Sequence, residues 1–475
     1  MKGIYSKLLS IPNAVKASLA LFVANLISKG ISYLTTPIYT RLLTPNEFGY
    51  VSLFLTWVQV FGIIAMFCLS QGVFNNGMVG HPDKRDDYST SMLALSNLIT
   101  ILFAIVLFVF YPIIRPYVRL EVKYLVLMIA IFLFQPAYNF WFTRQRYELR
   151  SRNILWSSLL CTILSPTIAV GAIFCLPHNR LDARIFGAEI PLILIYFSFF
   201  LFLYKKSDFK VTTIYWKEAF LFNLPLIIHY LSMYLLSSSD RIMISNLVSD
   251  SATAYYTVAY SVASIALIIW SAVNSSLIPF TYEKCKVKKY SDISKVTLPV
   301  LFLISVASVF VIMLAPEVVF FMATKDYREA IYVIPPIVGG VFFQALYSIF
   351  ANVVYYYKKP IYVTIGSVCS VSLNIVLNYF FIKRYGYIAA GYTTLFCYAL
   401  QAFIDYLGMK KVVREDVYNI KVLLALSCFV ILVSLLSNAL YDYVVLRGII
   451  IAVLIMSAII FRKNIIQVFK SIKNK

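Results

Sequence analysis

Apolar residues run along this chain in stretches of about 20, the length of one helical crossing of a bilayer, separated by short polar turns. Fourteen such stretches are predicted to be helices, near 17–41, 50–74, 91–115, 121–143, 153–176, 185–204, 219–240, 254–278, 295–315, 331–354, 360–382, 388–408, 420–438 and 443–461. In the first, Asn25, Lys29, Ser32 and Thr36 recur at steps of four, three and four, which puts them on one helix face. A lysine ammonium in hydrocarbon costs roughly 2.5–3.5 kcal/mol on insertion scales, so this face is expected to line a wet cavity or a helix interface. The stretch closes at Pro37 and Thr40-Arg41, turns through Thr44-Pro45-Asn46 and reopens at Phe48-Gly49.

Two more predicted helices carry a polar face. The seventh has Asn223, Tyr230, Tyr234, Ser237 and Arg241, with His229 and Ser232 beside them, and the eleventh has Thr364, Ser367, Ser370, Asn374 and Asn378. Three such faces imply a shared aqueous interior, although small polar residues also serve as contacts between packed helices. A shift of 200 residues lays Lys29 on His229, Ser32 on Ser232 and Arg41 on Arg241. This weak internal repeat divides the chain into an N-lobe of six helices (1–212), a C-lobe of six in parallel orientation (213–412) and an extra C-terminal pair (413–475).

Composition narrows the class. With 61% hydrophobic and 13% charged residues the 475-residue chain is expected to be an all-α polytopic membrane protein. Alternating loops carry the charge unevenly: 29 Lys and Arg fall in one set, which includes both termini, and twelve in the other, leaving Lys29 within a span. The positive-inside rule makes the richer side cytoplasmic, so both termini are expected inside. The net charge of +21 is thus assigned to anionic headgroups rather than nucleic acid, since the basic residues sit in short clusters between spans. One cluster, Arg144, Arg146, Arg150 and Arg152, is expected to fix topology. The basic N-terminus lacks a small-residue cleavage site and is expected to stay on the protein. The seven cysteines show no metal-like spacing and read as small core residues.

The loops are too short to hold a catalytic domain. His81, His178 and His229 are scattered, and no carboxylate pair, H-E-x-x-H, D-x-D or P-loop pattern stands out. An enzyme of glycan assembly, such as a polymerase, is therefore disfavoured against a transporter, and no cofactor or metal is expected.

The phrase ISKGISYLTTPIYTRLLTPNEFGYVSL resembles the first-helix signature of the polysaccharide-type flippases of the MOP superfamily, the Wzx-like O-antigen and repeat-unit translocases. SSSDRIMISNLVSDSATAYYTVAYSVA, APEVVFFMATKDYREAIYVIPPI and NIVLNYFFIKRYGYIAAGYTT resemble three later junctions of the same family, in the expected order. The resemblance implies two six-helix lobes around a central cavity, alternating access, and two added C-terminal helices. It also implies a cargo, an undecaprenyl-pyrophosphate-linked oligosaccharide moved to the outer leaflet of a bacterial plasma (inner) membrane for O-antigen or capsule synthesis, alongside a polymerase and other assembly proteins. A MATE-type exporter of drugs or metabolites is the alternative within the superfamily; it would usually have twelve spans and membrane-embedded acids.

Such cargo needs cations for its phosphates and polar surface for its sugars. Lys29, Arg41, Arg241 and His229 are the candidate phosphate contacts, with Asn25, Ser32, Thr36, Asn374 and Asn378 as further cavity residues. Glu189, His229 and Asp240 are candidates for coupling to an ion gradient. Asp240-Arg241 lies near a predicted helix end, where an ion pair or a cap is the plainer expectation, and Arg41 likewise suits interfacial anchoring.

Overall fold

A computed structural model of the chain describes residues 13–460; the side chains of 13–23, 25, 26, 29, 32, 229 and 457–460 lie outside that description. Among the described residues the regular structure is all helical, with seventeen α-helices and four short 3-10 segments. Eleven helical segments are long and apolar enough to cross a membrane, and Val444–Met456 is a shorter apolar one. The chain divides into two compact units, Met1–Leu231 and Ser232–Lys475.

Unit 1 begins with α1 (Asn13–Leu42) and α2 (Pro45–Ala65). The join between them follows local chemistry: Thr44 Oγ1 accepts from Glu47 N at 3.3 Å, Glu47 Oε2 accepts from Thr44 N at 2.8 Å, and Pro45 supplies the preset first-turn φ. The expected second span, 50–74, is interrupted. Residues 66–72 leave the helix, Phe67 and Cys68 taking φ of 55° and 49°, before α3 (Val73–Gly80) resumes. A break inside an apolar segment strands backbone groups with no water to satisfy them. Here the fully buried Asn223 does so, its Oδ1 accepting from Val73 N at 3.0 Å and its Nδ2 donating to the Phe67 carbonyl at 3.0 Å. Gly72 makes room, since a Cβ there would fall 2.3 Å from Asn223 Oδ1.

The rest of unit 1 is α4 (Arg85–Val109), α5 (Tyr111–Val118), α6 (Val122–Tyr147), α7 (Ser151–Cys175), α8 (Arg180–Lys206) and the first half of α9 (Trp216–Leu247). α8 packs on α6 and α7, and α7 on α1. One buried cluster gathers Tyr39, Phe54, Tyr124, Met128 and Phe132, and a second Phe67, Phe74, Met92 and Phe140.

Unit 2 holds the rest of α9, then α10 (Asp250–Lys286), α11 (Tyr290–Met313), α12 (Ala315–Met322), α13 (Ile334–Tyr356), α14 (Ile361–Tyr385), α15 (Ile388–Val412), α16 (Ile420–Leu436) and α17 (Val444–Ile460). α13 is its centre, most of its residues buried, and it packs against α10, α11, α15 and α16. α14 and α15 form an antiparallel hairpin whose turn needs Gly386, at φ 77°, a conformation that costs glycine nothing. α17 is tied to α11 and α12 by Arg447, which donates to the Met313 carbonyl at 2.8 Å and pairs with Glu317 at 2.9 Å.

Candidate functional site

The run Ser237-Ser238-Ser239-Asp240-Arg241 lies on α9 within unit 2, and its small side chains let neighbouring helices come close. Asp240 is fully buried. Its Oδ1 accepts from Asn378 Nδ2 of α14 at 2.6 Å, and its Oδ2 accepts from Thr394 Oγ1 of α15 at 2.9 Å and from the hydroxyl of Tyr256 of α10. A second layer holds these donors in place. Asn378 Nδ2 also reaches Asn374 Oδ1 at 3.1 Å, Asn374 Nδ2 donates to Thr394 Oγ1 at 3.1 Å, Thr393 Oγ1 donates to Asn378 Oδ1, and Ser239 Oγ meets Asn374 Oδ1 at 3.4 Å. Four helices therefore converge on one carboxylate.

This arrangement corrects two sequence expectations. Asp240 and Arg241 do not form an ion pair: the carboxylate oxygens are met by neutral donors, while Arg241 sits over the Tyr260 ring at 4.8 Å and reaches Ser238 Oγ at 3.4 Å. Successive residues on a helix point about 100° apart, so adjacency separates rather than pairs them. Asn374 and Asn378, read as cavity residues with a wet face, are fully buried in the α14–α15 seam with their amides committed to Asp240, Thr393 and Thr394. From Ser370 to Asn378 the polar face of α14 is interhelical, packed on α15 and, at Asn374 and Asn378, on α9, while Thr364 at its other end is exposed.

The Asp240 carboxylate is held by hydroxyls and an amide, all of them neutral donors. Among the described residues no group of three or more His, Cys, Asp or Glu could hold a metal ion.

Arg241 has donor capacity to spare, since its buried Nε has no hydrogen-bond partner, as is also true of Arg447 Nε. In unit 1, Arg41 is exposed and caps its own helix, donating to the Pro37 carbonyl at 2.8 Å. Thr36 is half-buried on α1. Glu189, half-buried on α8, shares its surroundings with Arg184 and Tyr39, the guanidinium lying 4.0 Å over the Tyr39 ring. The side chains of Asn25, Lys29, Ser32 and His229 lie outside the described residues, though their backbones are helical. Asn223, expected on the polar face of the seventh span, serves the α2–α3 break instead.

The arginine cluster also proves more than a topology marker. Arg144, 9% exposed, bonds both Asp86 of α4 and Glu148; Arg150 meets Glu148 at 3.1 Å and Lys206 of α8 meets Asp86 at 3.2 Å. Tyr256, Thr393 and Thr394 were not singled out from the sequence, although all three stand inside phrases that carry the family resemblance. Their signal was position in a phrase, not periodicity.

Comparison with known proteins agrees with this architecture. Residues 14–284 match the family described as polysaccharide biosynthesis protein, and residues 225–380 match MatE. A protein of the Lsg locus of Haemophilus influenzae is 22% identical over 76% of this chain and 88% of its own length. Agl15 of Haloferax volcanii, named as a probable low-salt glycan biosynthesis flippase, is 21% identical over 82% of each chain. Among solved structures, the lipid II flippase MurJ in an inward closed conformation aligns at TM-score 0.68 and 16% identity, covering 94% of this chain and 100% of its own. An inward-facing multidrug resistance MATE family transporter aligns at 0.62 and 14%, covering 82% and 98%. The all-α fold is thus the MOP fold, and the chain belongs to the polysaccharide biosynthesis protein family.

Proposed function

We propose that this protein flips an undecaprenyl-pyrophosphate-linked oligosaccharide repeat unit from the cytoplasmic to the outer leaflet of a bacterial plasma membrane, for surface polysaccharide synthesis. The observation that carries the reading is the family match over residues 14–284, which includes the Lys29 helix and the Asp240 run. Fourteen crossings with both termini cytoplasmic follow from the loop-charge asymmetry. In this reading the N-lobe (1–212) and C-lobe (213–412) exchange inward and outward access, with 413–475 as an added pair. Lys29, Arg41 and Arg241 meet the pyrophosphate, and the free Nε of Arg241 supports its share. Asp240, caged by neutral donors, exchanges a cation with the bulk and links that exchange to the cycle. Glu189 and His229 are the further coupling candidates.

The test is reconstitution of the full chain in liposomes whose lipid-linked oligosaccharide starts on one leaflet, with a membrane-impermeant lectin reporting arrival on the other. Protein-dependent arrival supports the proposal. Absence of arrival, together with export of a cationic dye, would favour the MATE-type reading.

A further inference from the structure

The α14–α15 seam holds a second acid that the Asp240 cage does not use. Asp405 on α15 is fully buried, and neither carboxylate oxygen has a hydrogen-bond partner. Its surroundings leave further polar oxygens unpaired. Gln401, one turn earlier on the same helix and 3% exposed, gives its Nε2 to Ser367 Oγ at 3.1 Å and leaves Oε1 without a donor. Ser370 on α14 is fully buried with its Oγ unbonded. Gly366 provides the space: a Cβ there would stand 2.5 Å from Asp405 Oδ1.

These residues extend the row that ends at Asp240. Along α14 the buried positions are Gly366, Ser370, Asn374 and Asn378, four apart, and antiparallel α15 sets Asp405 against Gly366, Gln401 against Ser367, Thr394 against Asn374 and Thr393 against Asn378. From Gly366 to Asn378 is twelve residues, roughly 18 Å of helix. One end of the seam has a carboxylate whose oxygens are met by donors. The other has a carboxylate, an amide oxygen and a hydroxyl with nothing positive among them. Among the described residues no basic side chain pairs with Asp405; the ionisable groups that face it from α13 are Tyr347 and Tyr355, and Lys411 is engaged over Tyr362 at 5.5 Å. A bare buried carboxylate is far costlier than one paired with a positive charge, and an all-oxygen set suits a hard monovalent cation.

We propose that Asp405, Gln401 and Ser370 form a second monovalent-cation site, separate from Asp240 and set at the other end of the α14–α15 seam. Its ligand is a single positive charge, a sodium ion or a proton. The site is filled when Asp405 binds that charge and Gln401 Oε1 and Ser370 Oγ share it.

The test uses the purified full chain, so its outcome does not depend on the cargo. D240N and the double variant D240N/D405N are compared in two arms. In the first, thermal unfolding is followed as NaCl replaces choline chloride; in the second, proton uptake is read with an impermeant pH dye across a pH titration. If sodium is the ligand, a sodium-dependent rise in Tm persists in D240N and vanishes in the double variant. If the proton is the ligand, sodium has no effect and the double variant takes up about one proton fewer per chain than D240N. Identical behaviour of the two variants in both arms overturns the proposal. Should the double variant not fold, D240N/Q401L replaces it: an apparent cation affinity weakened tenfold or more supports the site, and an unchanged affinity overturns it.

Discussion

Asn223 Oδ1 accepts a hydrogen bond from the backbone nitrogen of Val73 at 3.0 Å, joining residues 150 apart in sequence across a break in an apolar helix. With its Nδ2 on the Phe67 carbonyl, one side chain satisfies both edges of the break. Leaving a buried polar group unpaired costs about 1–3 kcal/mol. N223L strands two such groups and is expected to destabilise unit 1 by roughly 2–4 kcal/mol, the sum of two such penalties partly relaxed. N223D keeps the acceptor and should cost less. Denaturant titration of the detergent-solubilised protein checks the order; a smaller loss for N223L than for N223D would contradict the role given to the amide.

At Asp240 the predicted loss is functional. D240N removes the charge while keeping the volume, so the protein should insert and fold but lose transport by about tenfold or more, as expected when one charge-dependent contact is removed. T394V, which deletes one donor of several, should lose less. Transport in proteoliposomes at matched protein levels measures both, and wild-type transport by D240N would remove Asp240 from the coupling scheme.

Arg144 joins Asp86 and Glu148 across two helices of unit 1. Because the Asp86 side chain is 36% exposed, solvent weakens the pair, and a double-mutant cycle of R144Q and D86N should give a coupling of about 1 kcal/mol or less. The single R144Q should cost more than this coupling, since it also takes from Glu148 one of its two basic partners and leaves only Arg150. Equal costs would show that the Glu148 contact contributes nothing.

Arg447 ties α17 to the end of α11 through the Met313 carbonyl and to α12 through Glu317. R447M should leave unit 2 folded and release α17, seen as faster proteolysis after residue 440 with no change in the protection of α13. Unchanged proteolysis would mean that apolar packing alone holds the last helix.

For Lys29 and the topology the checks are made in cells. K29A is expected to abolish surface-polysaccharide complementation in a flippase-deficient strain while the protein still inserts; full complementation would remove Lys29 from the phosphate contacts. Single cysteines at Lys288 and Arg180 in a cysteine-free background should label from opposite sides, and labelling from the same side would overturn the orientation.

The helices themselves were legible because hydropathy is a local property: a run of about 20 apolar residues must become a hydrogen-bonded helix wherever it meets lipid. The same locality explains the α1–α2 join, where Thr44, Pro45 and Glu47 act within one turn. It also explains why the second span was read as continuous. Nothing within residues 50–74 shows that an amide 150 positions away will satisfy a broken backbone.

The sequence by itself determined that the chain is helical and membrane-spanning, which helices carry polar positions, and that Asp240, Asn374 and Asn378 stand in apolar helices. Only the tertiary structure decided what those faces meet. Asp240 finds Asn378 and Thr394 at separations of 138 and 154 residues, and periodicity along one helix cannot tell a face turned to water from one turned to another helix. Burial makes that difference: the same amide that would contact a wet cargo instead holds a carboxylate, and Asp405, one acid in an apolar run, becomes a buried acid whose oxygens meet no donor.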